Sequence, residues 1–104
     1  MKRLSIYVKE NDKIENKNIV DYIFRLLKSL DISGATVFKT IYSYGSSKNI
    51  SNIFIEMESY NMGIRIDTVG EDNKIYEVID RLKDKNILMI IAECGVIYGD
   101  GKSG

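Results

Sequence analysis

The sequence predicts an α+β domain, an antiparallel sheet of four strands with two helices on one face, in the order βαββαβ of the ferredoxin-like sandwich. Three observations predict it. Two stretches carry apolar residues at helical spacing, and each lies between stretches of strand period, so that the elements run strand, helix, strand, strand, helix, strand. Two βαβ units in that order, each crossing over with the usual right hand, interleave into one sheet and put both helices on the same side. The chain of 104 residues, 44% hydrophobic, suffices for one core and not for two.

Residues 3–8 alternate, Leu4, Ile6 and Val8 against Arg3, Ser5 and Tyr7, as a half-buried strand does. Residues 9–17 are polar, with Asn11 and Asp12 suited to a turn. Asn18, with Asp21 three positions on, has the form of a capping box and opens a helix whose stripe is Ile19, Ile23, Leu26, Leu27 and Leu30. Gly34 is the expected helix stop. The second strand spans 36–42, with Val37 and Ile41 on one face and Phe38 and Tyr42 on the other. The third spans 64–69, with Ile64, Ile66 and Thr68 opposite Arg65, Asp67 and Val69. Acidic residues 71 and 72 favour the start of a second helix, striped by Ile75, Val78, Ile79 and Leu82. After a polar turn at 83–86, the last strand is expected over 87–98, with Leu88, Ile90, Ala92, Cys94 and Val96 on one side and Ile87, Met89, Ile91 and Ile97 on the other.

Strands two and four are therefore apolar on both faces, whereas the helices cover only one. A second copy of so small a chain is the simplest cover for the other face, and self-association is expected.

Between the second and third strands, residues 44–62 follow no single period. A loop this long inside a compact domain is usually either functional or disordered. It is where function is expected to sit, within a single domain expected over 1–98, with the Gly-rich residues 99–104 expected as a flexible tail.

Composition removes several chemistries. The chain has no His, which excludes Ser/His/Asp and Cys/His nucleophilic arrangements and His-based zinc sites. Fifteen basic and fifteen acidic residues leave no net charge and hence no bulk attraction for nucleic acid or anionic membrane. The lone Cys94 makes no internal disulfide and reads as a small core residue on an apolar strand. The N-terminus does not read as a signal peptide, and the longest apolar run, 87–92, is far too short to span a membrane. A cytoplasmic protein, neither an enzyme nor membrane-inserted, and without a metal or cofactor, is expected.

The segment ISGATV at 32–37, a short strand, and then YGSS at 44–47 resemble the nitrogen regulatory PII-like proteins, in which a Gly-x-Thr-Val strand start leads to an aromatic-Gly turn and a long loop. The opening MKRLSIYV and the run RIDTVGEDNKIYEVIDRL at 65–82 are similar to a family of unknown function within that superfamily. The resemblance follows nearly the whole chain in order and spacing. It implies a homotrimer with inward-facing sheets and a site for an adenine nucleotide or related small molecule between neighbouring subunits. It also implies that the loop over 44–62, the T-loop, reports ligand to a partner such as a membrane transporter or a metabolic enzyme.

Carried over by position, Thr36, Gly45, Ser46 and Ser47 become candidate ligand-binding residues, with Lys39 and Asp67 beside them. Ser46 and Ser47 stand where nitrogen regulatory members have a basic residue and an amide. The turn 83–86 lacks their Gly-rich phosphate loop, and Ile97 and Tyr98 replace their late basic residues. These differences point away from ATP held in their manner.

On the residues alone, Gly45, Ser46 and Ser47 suit either an anion-binding nest of backbone amides or an ordinary turn. Lys39, Arg65, Lys83 and Lys85 are either cleft cations or solvated ones, and Asp67 is either a ribose partner or a solvent-facing strand residue that pairs near Arg65. Gly101, Lys102 and Ser103 suggest a nucleotide-triphosphate loop, but Val96 stands where its first Gly is needed and no helix follows. Two other classes use this fold. An acylphosphatase-like enzyme needs an Arg in a phosphate-cradling loop after the first strand, and residues 9–17 contain none. An RNA-binding module needs aromatics on the central strands within a basic surface.

Overall fold

The computed structural model describes residues 1–39 and 63–97. Eight elements follow in chain order: β1 (Lys2–Lys9), β2 (Lys13–Ile14), β3 (Lys17–Asn18), α1 (Ile19–Ser29), β4 (Ala35–Lys39), β5 (Gly63–Gly70), α2 (Asp72–Leu82) and β6 (Leu88–Glu93). The four long strands form one sheet in the order β4-β5-β1-β6, every neighbour antiparallel. This is the predicted ferredoxin-like arrangement.

The core lies between the sheet and the two helices. Leu4 and Ile6 of β1, Ile66 of β5, Ile23 of α1 and Ile75, Val78 and Leu82 of α2 are fully buried. Removing each such side chain from water contributes about 1.5–3 kcal/mol. Thr68, also buried there, donates its hydroxyl hydrogen to the Gly34 carbonyl at 2.7 Å, so the one polar group on this face of β5 is satisfied.

The expected Asn18 cap is present, its side-chain oxygen accepting from the N–H groups of Val20 at 2.9 Å and Asp21 at 3.3 Å. The helix stop differs from expectation. Asp31, not Gly34, takes the left-handed conformation, with φ of 58°. The Asp31 N–H donates to the Lys28 carbonyl and the Ile32 N–H to the Leu27 carbonyl, a Schellman closure in which buried Ile32 and Leu27 supply the accompanying apolar contact. Aspartate tolerates this conformation better than most residues, so no Gly is required.

Within the polar stretch 9–17 the chain forms a small hairpin, β2 with β3. Its two turn residues, Glu15 and Asn16, have φ of 52° and 68°, the signs a tight two-residue hairpin turn requires.

The last strand is shorter than predicted. It stops at Glu93 because its register with β1 ends at the pair Lys2–Glu93, where β1 begins, and among the described residues it has no other ladder partner. Cys94 lies just beyond, half-buried and outside the core, with its N–H donating to the Met1 carbonyl. Of the predicted second strand, Ala35–Lys39 is formed, and residues 40–42 lie outside the described residues, as do the loop 44–62, Tyr98 and the tail 99–104. Among the described residues, no helix is long and apolar enough to cross a membrane.

Candidate functional site

The strand register fixes which side chains share the open face of the sheet, the face without helices. Thr36 of β4 stands opposite Asp67 of β5, which stands opposite Ser5 of β1, which stands opposite Ile90 of β6. The adjacent row is Phe38, Arg65, Tyr7 and Leu88. The outer strands leave Phe38 41%, Leu88 58% and Ile90 51% exposed. The prediction that strands two and four carry apolar bulk away from the helices therefore holds at these positions.

The middle of the face is charged. Arg65 and Asp67 are two apart on β5, so both project from the same side, and Nε of the arginine lies 3.2 Å from Oδ1 of the aspartate. Both atoms are shielded from water, yet their alignment falls short of a hydrogen bond and, among the described residues, neither has another hydrogen-bond partner. The contact is thus an ion pair without the directional component that makes Arg–carboxylate pairs strong. The guanidinium of Arg65 lies over the Phe38 ring, 4.4 Å from its centroid, and fixes the cation between an aromatic and a carboxylate. The sequence reading left Arg65 as either a cleft cation or a solvated one and Phe38 as an apolar residue, and did not foresee their stacking. The signal was the parity of the two strands, and it becomes usable only once Phe38 and Arg65 are known to be in register.

Of the predicted binding residues, Thr36 and Asp67 are brought side by side. Lys39 is not with them. Three positions after Thr36, it projects to the opposite face, where Nζ pairs with the Glu10 carboxylate at 3.0 Å. Gly45, Ser46 and Ser47 lie outside the described residues. Lys83 and Lys85 belong to the turn between α2 and β6, Lys83 pairing with Asp80 at 2.7 Å. The hydrogen bond and charge of Lys83 hold the Asp80 carboxyl below its ordinary range, and Asp80 in turn raises Lys83.

Lys39 and Gly63 are neighbours across the β4–β5 ladder, offset by one residue, so the described part of β4 ends and that of β5 begins at one edge of the face. The arrangement offers a hydroxyl at Thr36 and a carboxylate at Asp67 for hydrogen bonding, a guanidinium for an anion, and apolar ground on either side. Among the described residues, no group of three or more potential metal ligands is drawn together.

Comparison with known proteins is consistent in sequence and in fold. The family model DUF190, described as an uncharacterized ACR, matches residues 1–94. A UPF0166 protein of Methanocaldococcus jannaschii is 35% identical over 102 residues, covering 95% of this chain and 94% of that one. A UPF0166 protein of Aquifex aeolicus is 29% identical over 98 residues, with 93% of each chain covered. Among solved structures, CPII of Thiomonas intermedia K12, a nitrogen regulatory PII-like protein bound to ADP, AMP and bicarbonate, superposes with a TM-score of 0.65 at 13% identity, covering 94% of this chain and 93% of that one. A structure described as a PII-like signaling protein of Thermus thermophilus gives a TM-score of 0.60 at 14% identity, covering 88% of this chain and 82% of that one. At such identities the structures speak to the fold, and the fold is the PII-like form of the ferredoxin-like sandwich, so that with a family model spanning nearly its full length the chain belongs to the DUF190 family, whose matched relatives are UPF0166 proteins.

Proposed function

We propose that this chain is a PII-like sensor: a cytoplasmic, non-enzymatic homotrimer that takes an adenine nucleotide or a related small molecule between its subunits. Residues 44–62, the T-loop, then report the ligand to a partner protein, a membrane transporter or a metabolic enzyme. The observation that carries this reading is the placement of Thr36 and Asp67. They are cross-strand partners on β4 and β5, the two strands that flank residues 40–62, and they face the side of the sheet that lacks helices. A ligand that engages them is therefore bound at the root of the segment that would signal. The likeness of the fold to CPII, whose structure holds ADP and AMP, supports the choice of an adenine ligand.

In this reading the Thr36 hydroxyl and the Asp67 carboxylate receive the sugar or base edge. Gly45, Ser46 and Ser47 supply backbone N–H groups to phosphate, since Gly allows close approach and consecutive amides attract anions. Lys39, which projects to the opposite face and pairs there with Glu10, stands apart from Thr36 and Asp67 and takes no part in the site. Signalling requires the ligand to prefer one state of the loop over another. A preference of about 3 kcal/mol shifts that equilibrium by roughly two orders of magnitude.

Isothermal titration with AMP, ADP, ATP and cyclic adenine dinucleotides, on protein whose mass in solution has been measured by sedimentation, tests both halves. Saturable binding of an adenine compound to a trimer, weakened at least tenfold by Thr36→Val or Asp67→Asn, is the expected result. A trimer that gives no heat with any of them would end the sensing half, and a monomer would remove the clefts.

A further inference from the structure

The two strands at the edges of the sheet, β4 and β6, each have a ladder partner on one side only among the described residues. Proteins ordinarily guard such edges with charge, proline or a bulge, because unpaired N–H and C=O groups are a template for another strand. Neither edge is guarded here. The chain has no proline, each strand keeps an unbroken register with its inner neighbour, and the one charged residue of each, Lys39 and Glu93, stands at its end. Both edges are instead apolar on both faces: Val37 and Ile91, on the helix side, are 37% and 39% exposed, and Phe38 and Ile90, on the open side, are 41% and 51% exposed. Covering the open face alone would leave Val37 and Ile91 in water.

We infer that β4 of one copy pairs antiparallel with β6 of the next, in the register that sets Val37 opposite Ile91 and Phe38 opposite Ile90. Opposed residues of a ladder project to the same face, so with the open faces kept to one side only residues of like face can meet. This register brings all four exposed side chains into two apolar pairs, one on each face, and such cross-strand pairs are what stabilise a sheet. A shift of two residues would set Phe38 against Leu88 but Ile90 against Thr36 and Ile91 against Ala35. Three antiparallel steps separate β4 from β6 within the sheet, so the two strands run in opposite directions. A copy related by rotation about an axis along the strands therefore offers its β6 antiparallel to β4. The contact joins two unlike surfaces, and contacts of that kind close into rings, as a trimer requires. Pairing β4 with itself about a two-fold axis opposes Phe38 to Thr36 or Val37 to Lys39, and pairing β6 with itself leaves β4 bare. The inference rests on the self-association proposed above and names the strands that make it. It also gives the site a second wall, since Thr36, with Asp67 on one side, comes to stand opposite Ala92 of the partner subunit on the other.

Disulfide trapping tests the register. Directly opposed residues have Cα atoms about 4.5–5.5 Å apart, within reach of a disulfide, whereas residues two positions out of register lie about 7–8 Å apart and are not. The background is Cys94→Ser, which removes the native thiol. In it, Val37→Cys/Ile91→Cys and Phe38→Cys/Ile90→Cys, each pair carried on one chain, are expected to give a covalent trimer on mild oxidation. The trimer is read on non-reducing gels and should form at least tenfold faster than with Val37→Cys/Met89→Cys. Val37→Cys alone and Ile91→Cys alone are expected to give no covalent species, and the two co-assembled to give a covalent dimer. Independently of any cysteine, Ile91→Lys places a charge on the edge and is expected to weaken self-association at least tenfold in sedimentation velocity, with a thermal melt to confirm folding. Trapping by a single cysteine would reveal a two-fold contact, and faster trapping at positions 37 and 89 a shifted register. Either result overturns the inference, as does assembly that Ile91→Lys leaves intact. A monomeric wild type overturns it together with the self-association on which it rests, whereas a wild type that assembles without trapping at positions 37 and 91 overturns this inference alone.

Discussion

The two faces of the sheet are built from the same strands and differ in every other respect. On the helix side, Leu4, Ile6 and Ile66 are sealed from water by α1 and α2, and buried Thr68 has its hydrogen bond. On the other side β1, β5 and β6 present Arg3, Tyr7, Arg65, Asp67, Leu88 and Ile90, a mixture of charge and hydrocarbon with no second layer among the described residues. Strand alternation alone produces this contrast, because neighbouring residues point to opposite faces and only one face receives the helices. Stability should therefore reside on the first face and association on the second, and the two should separate under mutation.

The largest effect expected is the one that separates them most directly. Ile6→Ala opens a cavity at a fully buried site and should cost about 2–5 kcal/mol in denaturant unfolding. Ile90→Ala, on an exposed position one strand away, should leave the unfolding of the isolated subunit within about 0.5 kcal/mol of wild type while weakening self-association. Equal losses of stability from the two substitutions would mean that the faces are not distinct in the way the burial suggests.

Thr68→Val sharpens the comparison from within the covered face. It keeps the shape and leaves the Gly34 carbonyl without its donor, at a cost of about 1–3 kcal/mol, visible as a lower unfolding midpoint with unchanged denaturant dependence. Asn18→Ala acts on the cover, not on the sheet. It leaves the N–H groups of Val20 and Asp21 without their acceptor and should cost about 1 kcal/mol, with no change in any association through the open face.

The covered face was legible in the sequence to a degree the open face was not. Periodicity assigned the inward residues of β1, β5 and both helices correctly, because burial imposes a strict pattern on Leu4, Ile6, Ile64, Ile66, Ile75, Val78 and Leu82. What it could not supply was register. The contact of Phe38 with Arg65 depends on which residue of β4 falls opposite which residue of β5, and no local pattern encodes that. The same limit explains the last strand, whose apolar run continues past Glu93 although its pairing with β1 ends there. Lys39 is a third case: alternation from Thr36 already put it on the opposite face, but its partner Glu10 lies 29 positions away and could not be read from spacing. The helix stop at Asp31 was missed for a different reason, since Gly34 satisfies the usual rule and Asp31 satisfies the geometry.

The smallest effect lies away from both faces and serves as the control for the others. Asp80, near the end of α2, and Lys83, just past it, form an exposed pair in which each raises the preference of the other for its charged form. Because the Asp80 carboxyl is held below its ordinary value in the folded chain, its contribution is present above that value and is lost as the pH falls through the lowered one. Lys83, raised, contributes below the ordinary lysine value and loses that contribution as the pH rises through its higher one. Asp80→Asn should therefore lower the unfolding midpoint slightly at neutral pH, less than any substitution above. The difference from wild type should vanish both in acid and in strong base, and added salt should shrink it. Self-association should not move at all, and an assembly that responded to Asp80→Asn would place the contact between copies on the helical side and not on the open sheet.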